Sequence, residues 1–120
     1  MQKQILIVDD DPLYLDLVRD VVESHHHVAL PASGATSASD LLEKSNVDVI
    51  ISDIQMPGTD GFVFYESVRE NPAHTSTPFI FLTGSVDRAL LNRVPAEPFV
   101  RLVHKSNLVT ELSRVLTQLK

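Results

Sequence analysis

Three short stretches, QILIVDD (residues 4–10), VDVIISD (47–53) and PFIFLT (78–83), are nearly continuous apolar runs that each stop on a polar residue. Strands buried on both faces of a parallel sheet read this way, because neither face offers solvent to a polar side chain. HVALPA (27–32) and FVRLVHK (99–105) are less pure, carrying Pro31 and Arg101, residue types that a sheet accommodates at its edges. Three central and two edge strands are expected. Between them run helical stripes: Leu15, Val18 and Val22; Ala35, Ala38, Leu41 and Leu42; Phe64 and Val68; a short one at Val86, Leu90 and Val94; and Leu108, Leu112, Val115 and Leu119. Pro12 suits a first helical turn capped by Asp11, and Asp60 and Asn107 are expected to cap the third and fifth helices.

The order is strand then helix, five times over. Right-handed crossovers then give an α/β, doubly wound, five-stranded parallel sheet, with 2-1-3-4-5 the common strand order. That order puts the second and fifth strands at the edges, the two that carry Pro31 and Arg101. A chain of 120 residues, 43% hydrophobic and 22% charged, is expected to form one soluble domain over 1–120. No apolar run is long enough to span a membrane, and the opening residues lead into a strand instead of a signal peptide. The absence of cysteine excludes disulfides, thiolate metal sites and thiol catalysis, and suits a reducing, cytoplasmic setting. Sixteen acidic against ten basic residues leave a formal charge of −6, without the basic stripe of a duplex-binding surface, so no direct nucleic-acid contact is expected.

In such a sheet the site lies at the carboxyl ends of the strands, around the point where strand order reverses. Here Asp9 and Asp10 end the first strand, Asp53 the third, Thr83 and Gly84 the fourth, and Lys105 the fifth. A single polar strand end would be ordinary, and Asp11 is accounted for as a helix cap. Three carboxylates on adjacent strands are different: at roughly 5 Å and an effective dielectric near 20, each pair repels by about 3 kcal/mol. Lys105 offsets part of that, and a divalent cation would offset the rest. Hard oxygen ligands with room for water suit Mg²⁺, and Mn²⁺ could substitute. A carboxylate beside such an ion can attack phosphorus and form an acyl phosphate. Asp53 fits the nucleophile, Lys105 the counter-charge on the phosphoryl oxygens and Thr83 a hydrogen-bonding hydroxyl, while Gly84 leaves room for the incoming group.

Together, ILIVDDDP, DIQMPGTDG, FLTG and the lysine of the fifth strand resemble the receiver domain of two-component response regulators, over the whole chain. The resemblance implies a flavodoxin-like, chemotaxis-regulator-like fold and a phosphorylation switch, not a turnover enzyme. Asp53 would be the phosphoacceptor, and Asp10, Asp53 and the backbone carbonyl of Gln55 the Mg²⁺ ligands, with Asp9 acting through water. Thr83 would be the switch hydroxyl and Lys105 the phosphate-pairing lysine, with Gln55 and Ser85 setting the phosphate lifetime. The phosphoryl donor would be a sensor histidine kinase or a histidine phosphotransfer protein, and the output a downstream protein target or a fused output domain.

Three departures stand out. Ser106 follows the lysine where the family usually has proline, often in a cis bond; Leu102 occupies the switch-aromatic position; and VPAEP (94–98) replaces the common Gly-Ala turn, which should shorten the fourth helix. All three fall on the side that the family uses for output. They favour intact phospho-chemistry with an altered output face; the alternative is an interaction module whose binding is independent of phosphorylation. A phosphohydrolase is disfavoured, since the acidic turn lies on the third strand and no substrate-binding insertion is present. His25-His26-His27 is expected to be a solvated loop, His104 an unremarkable strand-end histidine, Met56 a loop packing residue, and the glycines of GTDG turn formers. The chain closes one residue after its last apolar helix position, as either a single-domain regulator or a piece of a longer protein would.

Overall fold

The computed structural model describes residues 2–119. Five strands, β1 (Gln4–Val8), β2 (Val28–Ala32), β3 (Val49–Asp53), β4 (Phe79–Thr83) and β5 (Val100–His104), form one parallel sheet in the order β2-β1-β3-β4-β5. They alternate with α1 (Pro12–Ser24), α2 (Ala35–Lys44), α3 (Gly61–Glu70), α4 (Arg88–Leu91) and α5 (Leu108–Gln118). The expected topology and edge strands are those observed.

Side chains alternate across a strand, so each central strand feeds two cores. Ile5, Ile7, Val49, Ile51, Ile80, Leu82 and Val103 pack against Val18, Val21 and Val22 of α1 and Leu108, Leu112 and Leu116 of α5. On the opposite face Leu6, Val8, Ile50, Phe79 and Phe81 meet Ala38 of α2 and Phe62, Phe64, Tyr65 and Val68 of α3. That second core is largely aromatic, with Tyr65 edge-on to Phe79 at 5.1 Å and Phe62 5.3 Å from Phe81. α5 buries Leu116, which the sequence stripe omitted, and leaves Val115 only partly covered.

Both sheet edges are chemically blunted. On β2 the Val28 N–H donates to Lys3 and the Ala32 carbonyl accepts from Asp9, so even-numbered residues face β1 and Pro31 turns outward, where it has no N–H to present. On β5 the Phe99 carbonyl faces β4, so Val100 turns outward; the Arg101 guanidinium folds back to donate to the Pro98 and Val100 carbonyls at 3.0 and 3.1 Å.

Asp11 and Asp60 cap α1 and α3, accepting from Leu13 N at 3.0 Å and Val63 N at 2.9 Å. Asn107 does not cap α5 with its side chain. The chain enters α5 through a 3₁₀ turn at Lys105–Asn107, which leaves Asn107 outside the extended conformation a capping side chain needs. The fourth helix shrinks to four residues; Val86 precedes it and is 79% exposed, while Leu90 and Val94 pack on the core. The triple histidine is not simply solvated: His26 takes a left-handed φ of 66°, and His27 Nδ1 accepts the Lys3 N–H at 3.0 Å. Burial holds the His27 ring below the ordinary histidine pKa, which keeps it an acceptor. Met56 is a buried loop residue, as expected.

Candidate functional site

Strand parity decides which polar residues meet. Asp53 continues the series Val49, Ile51, and Lys105 continues Val103, so both point to the α1/α5 side, where Asp9 follows Ile7. Lys105 Nζ lies 3.1 Å from Asp53 Oδ2 and 3.3 Å from Asp9 Oδ2, and 4.1 Å from the centroid of the Tyr14 ring. Asp9, Asp10 and Asp53 each offer an oxygen within 4.8 Å of the others. Asp9 and Asp53 are buried and Asp10 is exposed, so the cluster opens to solvent on one side.

The charges in this group are only partly compensated. Burial raises the Asp53 carboxyl above its ordinary value; Lys105 opposes the rise and Asp9 adds to it. Burial likewise raises Asp9, against the lowering effects of the Asp11 N–H and Lys105. Burial alone would lower Lys105, but the charges of Asp53 and Asp9 outweigh it and hold the ammonium protonated. Asp9 Oδ1 takes the Asp11 N–H at 2.9 Å, whereas Oδ2 is buried, close to Lys105 but poorly aligned, and has no hydrogen bond. A buried carboxylate oxygen without a donor, in an all-oxygen cluster, suits a hard cation or its water.

Thr83 has the opposite parity. It continues Phe79 and Phe81, and with Leu102 and His104 it belongs to the α3/α4 side of the sheet. Its Oγ1 accepts the Ser85 N–H at 3.0 Å, and Ser85 Oγ in turn accepts the Asp87 N–H. Leu102 and Gln55 are both exposed. A Cβ built on Gly84 would meet only Lys105 Cδ, at 4.0 Å, so this rim has space for a group. Lys105 reaches both carboxylates without a cis bond: every described peptide is trans.

Two residues escaped the sequence reading. Gly61 was expected to serve a turn, a role that falls to Gly58 at φ +84°. Gly61 is instead the first residue of α3, packed so tightly that a Cβ would overlap the Asp53 carbonyl oxygen and lie 2.9 Å from Ile54 Cα. Its N–H donates to Ile54 O at 2.6 Å, locking α3 onto the residue after Asp53. Tyr14, a turn into α1, flanks Lys105 with its ring; its signal was an aromatic one helical turn beyond the acidic cluster.

A response regulator receiver domain model matches residues 5–117. The chain belongs to that family. Receiver domains are phospho-accepting signalling switches, not classical enzymes; they bind Mg²⁺ at an acidic pocket and are phosphorylated by sensor histidine kinases. This receiver domain is 40% identical over 83 residues to an uncharacterised 14.6 kDa protein of Leptolyngbya boryana, covering 69% of this chain and 63% of the relative. Other curated relatives are longer, and the chain spans 35% of their length. It superposes on chemotaxis protein CheY4 of Vibrio cholerae with a TM-score of 0.90 over the whole of both chains, at 24% identity. It also superposes on response regulator TrrA of Thermotoga maritima, solved in complex with Mg²⁺ and BeF, with a TM-score of 0.82 and 24% identity, covering 99% and 100% of the two chains. No described helix is long and apolar enough to cross a membrane.

Proposed function

We propose that residues 1–120 form one receiver domain in which Asp53 accepts a phosphoryl group from a phosphohistidine on a sensor kinase or histidine phosphotransfer protein. The observation that carries the reading is the Asp9–Asp10–Asp53 cluster with Lys105 lodged against its two buried members. An Asp53 carboxylate oxygen attacks phosphorus; the phosphorus–nitrogen bond breaks, and its electron pair returns to the donor imidazole. Lys105, already within 3.3 Å of both buried carboxylates, pairs with the phosphoryl oxygens as negative charge accumulates. Asp10, Asp53 and the main-chain carbonyl of Gln55 would hold Mg²⁺, or Mn²⁺ in its place, with Asp9 reaching it through water. The ion, when bound, supplies positive charge facing the transferred group.

Thr83, whose Oγ1 accepts the Ser85 N–H, would exchange its resting hydroxyl orientation for one in which the O–H donates to a phosphoryl oxygen. Because Thr83 shares its face with Leu102, that exchange changes the α3/α4 side of the sheet, where the output partner would bind. Gln55 and Ser85, flanking the rim, would set how fast water removes the group. The setting would be cytoplasmic, with a histidine-kinase donor.

Intact-mass spectrometry after incubation with a small phosphodonor, with and without Mg²⁺, tests this directly. One phosphoryl addition that needs Mg²⁺ and disappears in Asp53→Asn is the expected result. A folded protein that takes no phosphoryl group from either a small donor or a cognate kinase would instead be a phosphorylation-independent interaction module.

A further inference from the structure

Lys105 is the long, flexible member of the site, and something must fix where its side chain begins. It follows β5 directly and opens the 3₁₀ turn Lys105–Asn107, so its backbone direction is set where strand becomes turn. Across that junction His104 and Ser106 close a small ring around it. The Ser106 N–H donates to His104 Nδ1 at 3.1 Å, and the Ser106 hydroxyl lies 2.8 Å from the same nitrogen. Since Nδ1 accepts the backbone donor, the ring proton sits on Nε2. That Nε2 is buried and has no partner.

The arrangement is lopsided in an informative way. A histidine placed for the stability of its surroundings would have both nitrogens satisfied, because an orphaned buried donor is costly. Here one nitrogen is left unpaired while the other takes two contacts from a single residue. Ser106 is exposed, so it contributes no core packing. What the pair does achieve is local: it imitates the side-chain-to-backbone turn that Asn and Asp make two residues along, and it tethers the residues on both sides of Lys105. Position 106 can take part only because it keeps a backbone N–H, which a proline would lack. Lys105 Nζ is then directed between Asp9 and Asp53, with Tyr14 lining its path.

We infer that His104 is a positioning residue for phosphoryl transfer, holding Ser106 so that Lys105 starts from the backbone position that brings its ammonium to Asp53. The inference rests on the phospho-accepting reading above. His104 does not touch the reacting atoms; it acts through Lys105.

The test compares wild type, His104→Val, His104→Asn and Ser106→Ala with a small acyl phosphate and Mg²⁺. Three quantities are read: the rate constant of Asp53 phosphorylation at saturating donor, the Mg²⁺ affinity, and hydrogen-exchange protection of the Ser106 amide. His104→Val is expected to slow phosphorylation roughly tenfold or more, as displaced catalytic groups do, with Mg²⁺ affinity unchanged and the Ser106 amide unprotected. His104→Asn, whose amide oxygen can accept the Ser106 N–H, is expected to restore both rate and protection. Ser106→Ala, at an exposed site that should not disturb folding, is expected to lose part of the rate only. Wild-type rates in both His104→Val and Ser106→Ala would overturn the inference, as would an Asn variant that regains protection but stays slow. A wild type that accepts no phosphoryl group fails differently: it removes the phospho-accepting reading itself, and this inference with it.

Discussion

Replacing Gly61 with alanine tests how tightly the fold is drawn around Asp53. The added Cβ would overlap the Asp53 carbonyl oxygen and sit 2.9 Å from Ile54 Cα. Both are main-chain atoms, so no side-chain rotation relieves the clash, and α3 must move away by at least about half an ångström to restore ordinary contact. That helix carries Phe62, Phe64, Tyr65 and Val68 into the aromatic core, so a shift opens gaps beneath four large side chains. Overpacking of this kind costs about 1–3 kcal/mol, and weakening the Gly61–Ile54 hydrogen bond adds about 1 kcal/mol. A loss of about 3 kcal/mol lowers Tm by on the order of 10 °C in a domain of this size. Gly58→Ala is the control: it sits at φ +84° with no heavy atom near its Cβ position, so only backbone strain of about 1 kcal/mol is expected. Urea unfolding of both variants gives the comparison, and phosphorylation of Gly61→Ala should slow as well, since its strain falls on the Asp53 main chain. If Gly61→Ala proves as stable as wild type, or Gly58→Ala costs more, the close approach of α3 to β3 is not the constraint described.

Removing one buried charge should stabilise the Mg²⁺-free protein. Because the folded Asp53 carboxyl is raised above 3.8, its penalty is absent at lower pH and grows as pH rises through the folded value; Asp53→Asn is therefore expected to gain on wild type at pH 7 but not at pH 3, as urea unfolding in chelator would show. Asp10→Asn, at the exposed member of the cluster, should leave stability nearly unchanged while weakening Mg²⁺ binding by roughly tenfold or more, measured by calorimetry. His74 is buried, pairs through Nδ1 with Thr77, and is held below 6.5 by burial and then by Arg69. The unfolded ring takes up its proton first, so stability is expected to fall as pH drops through 6.5, and His74→Asn should flatten that part of the pH profile of Tm.

The sheet was readable because each strand reports its own surroundings. Uninterrupted apolar runs fit strands covered on both faces, and Pro31 and Arg101 fit strands at an edge, as the order β2-β1-β3-β4-β5 places them. The acidic site was readable for a related reason: the topology alone carries Asp9, Asp53 and Lys105 to one rim, and their shared parity brings them into contact. What escaped depends on distances between elements. Gly61 looks like one more turn glycine until α3 is laid against β3, and Tyr14 gains its place only when α1 is laid beside the turn that opens with Lys105. Asn107 failed as a cap because the 3₁₀ turn that it closes, bridged by His104 and Ser106, leaves it outside the extended conformation a capping side chain needs. Val86 follows helical spacing but lies before a helix reduced to one turn, ahead of the VPAEP segment.

The treatment of the two outermost strands bears on how this chain behaves in a crowded solution. An open sheet invites another strand, from a second copy or a misfolded neighbour, to continue its hydrogen-bond ladder. Pro31 takes a donor out of one border, and Arg101 occupies two acceptors on the other with its own guanidinium. Neither border offers an unbroken row for strand addition. Strand addition, the fibre-forming route to self-association, is thereby hindered at both borders.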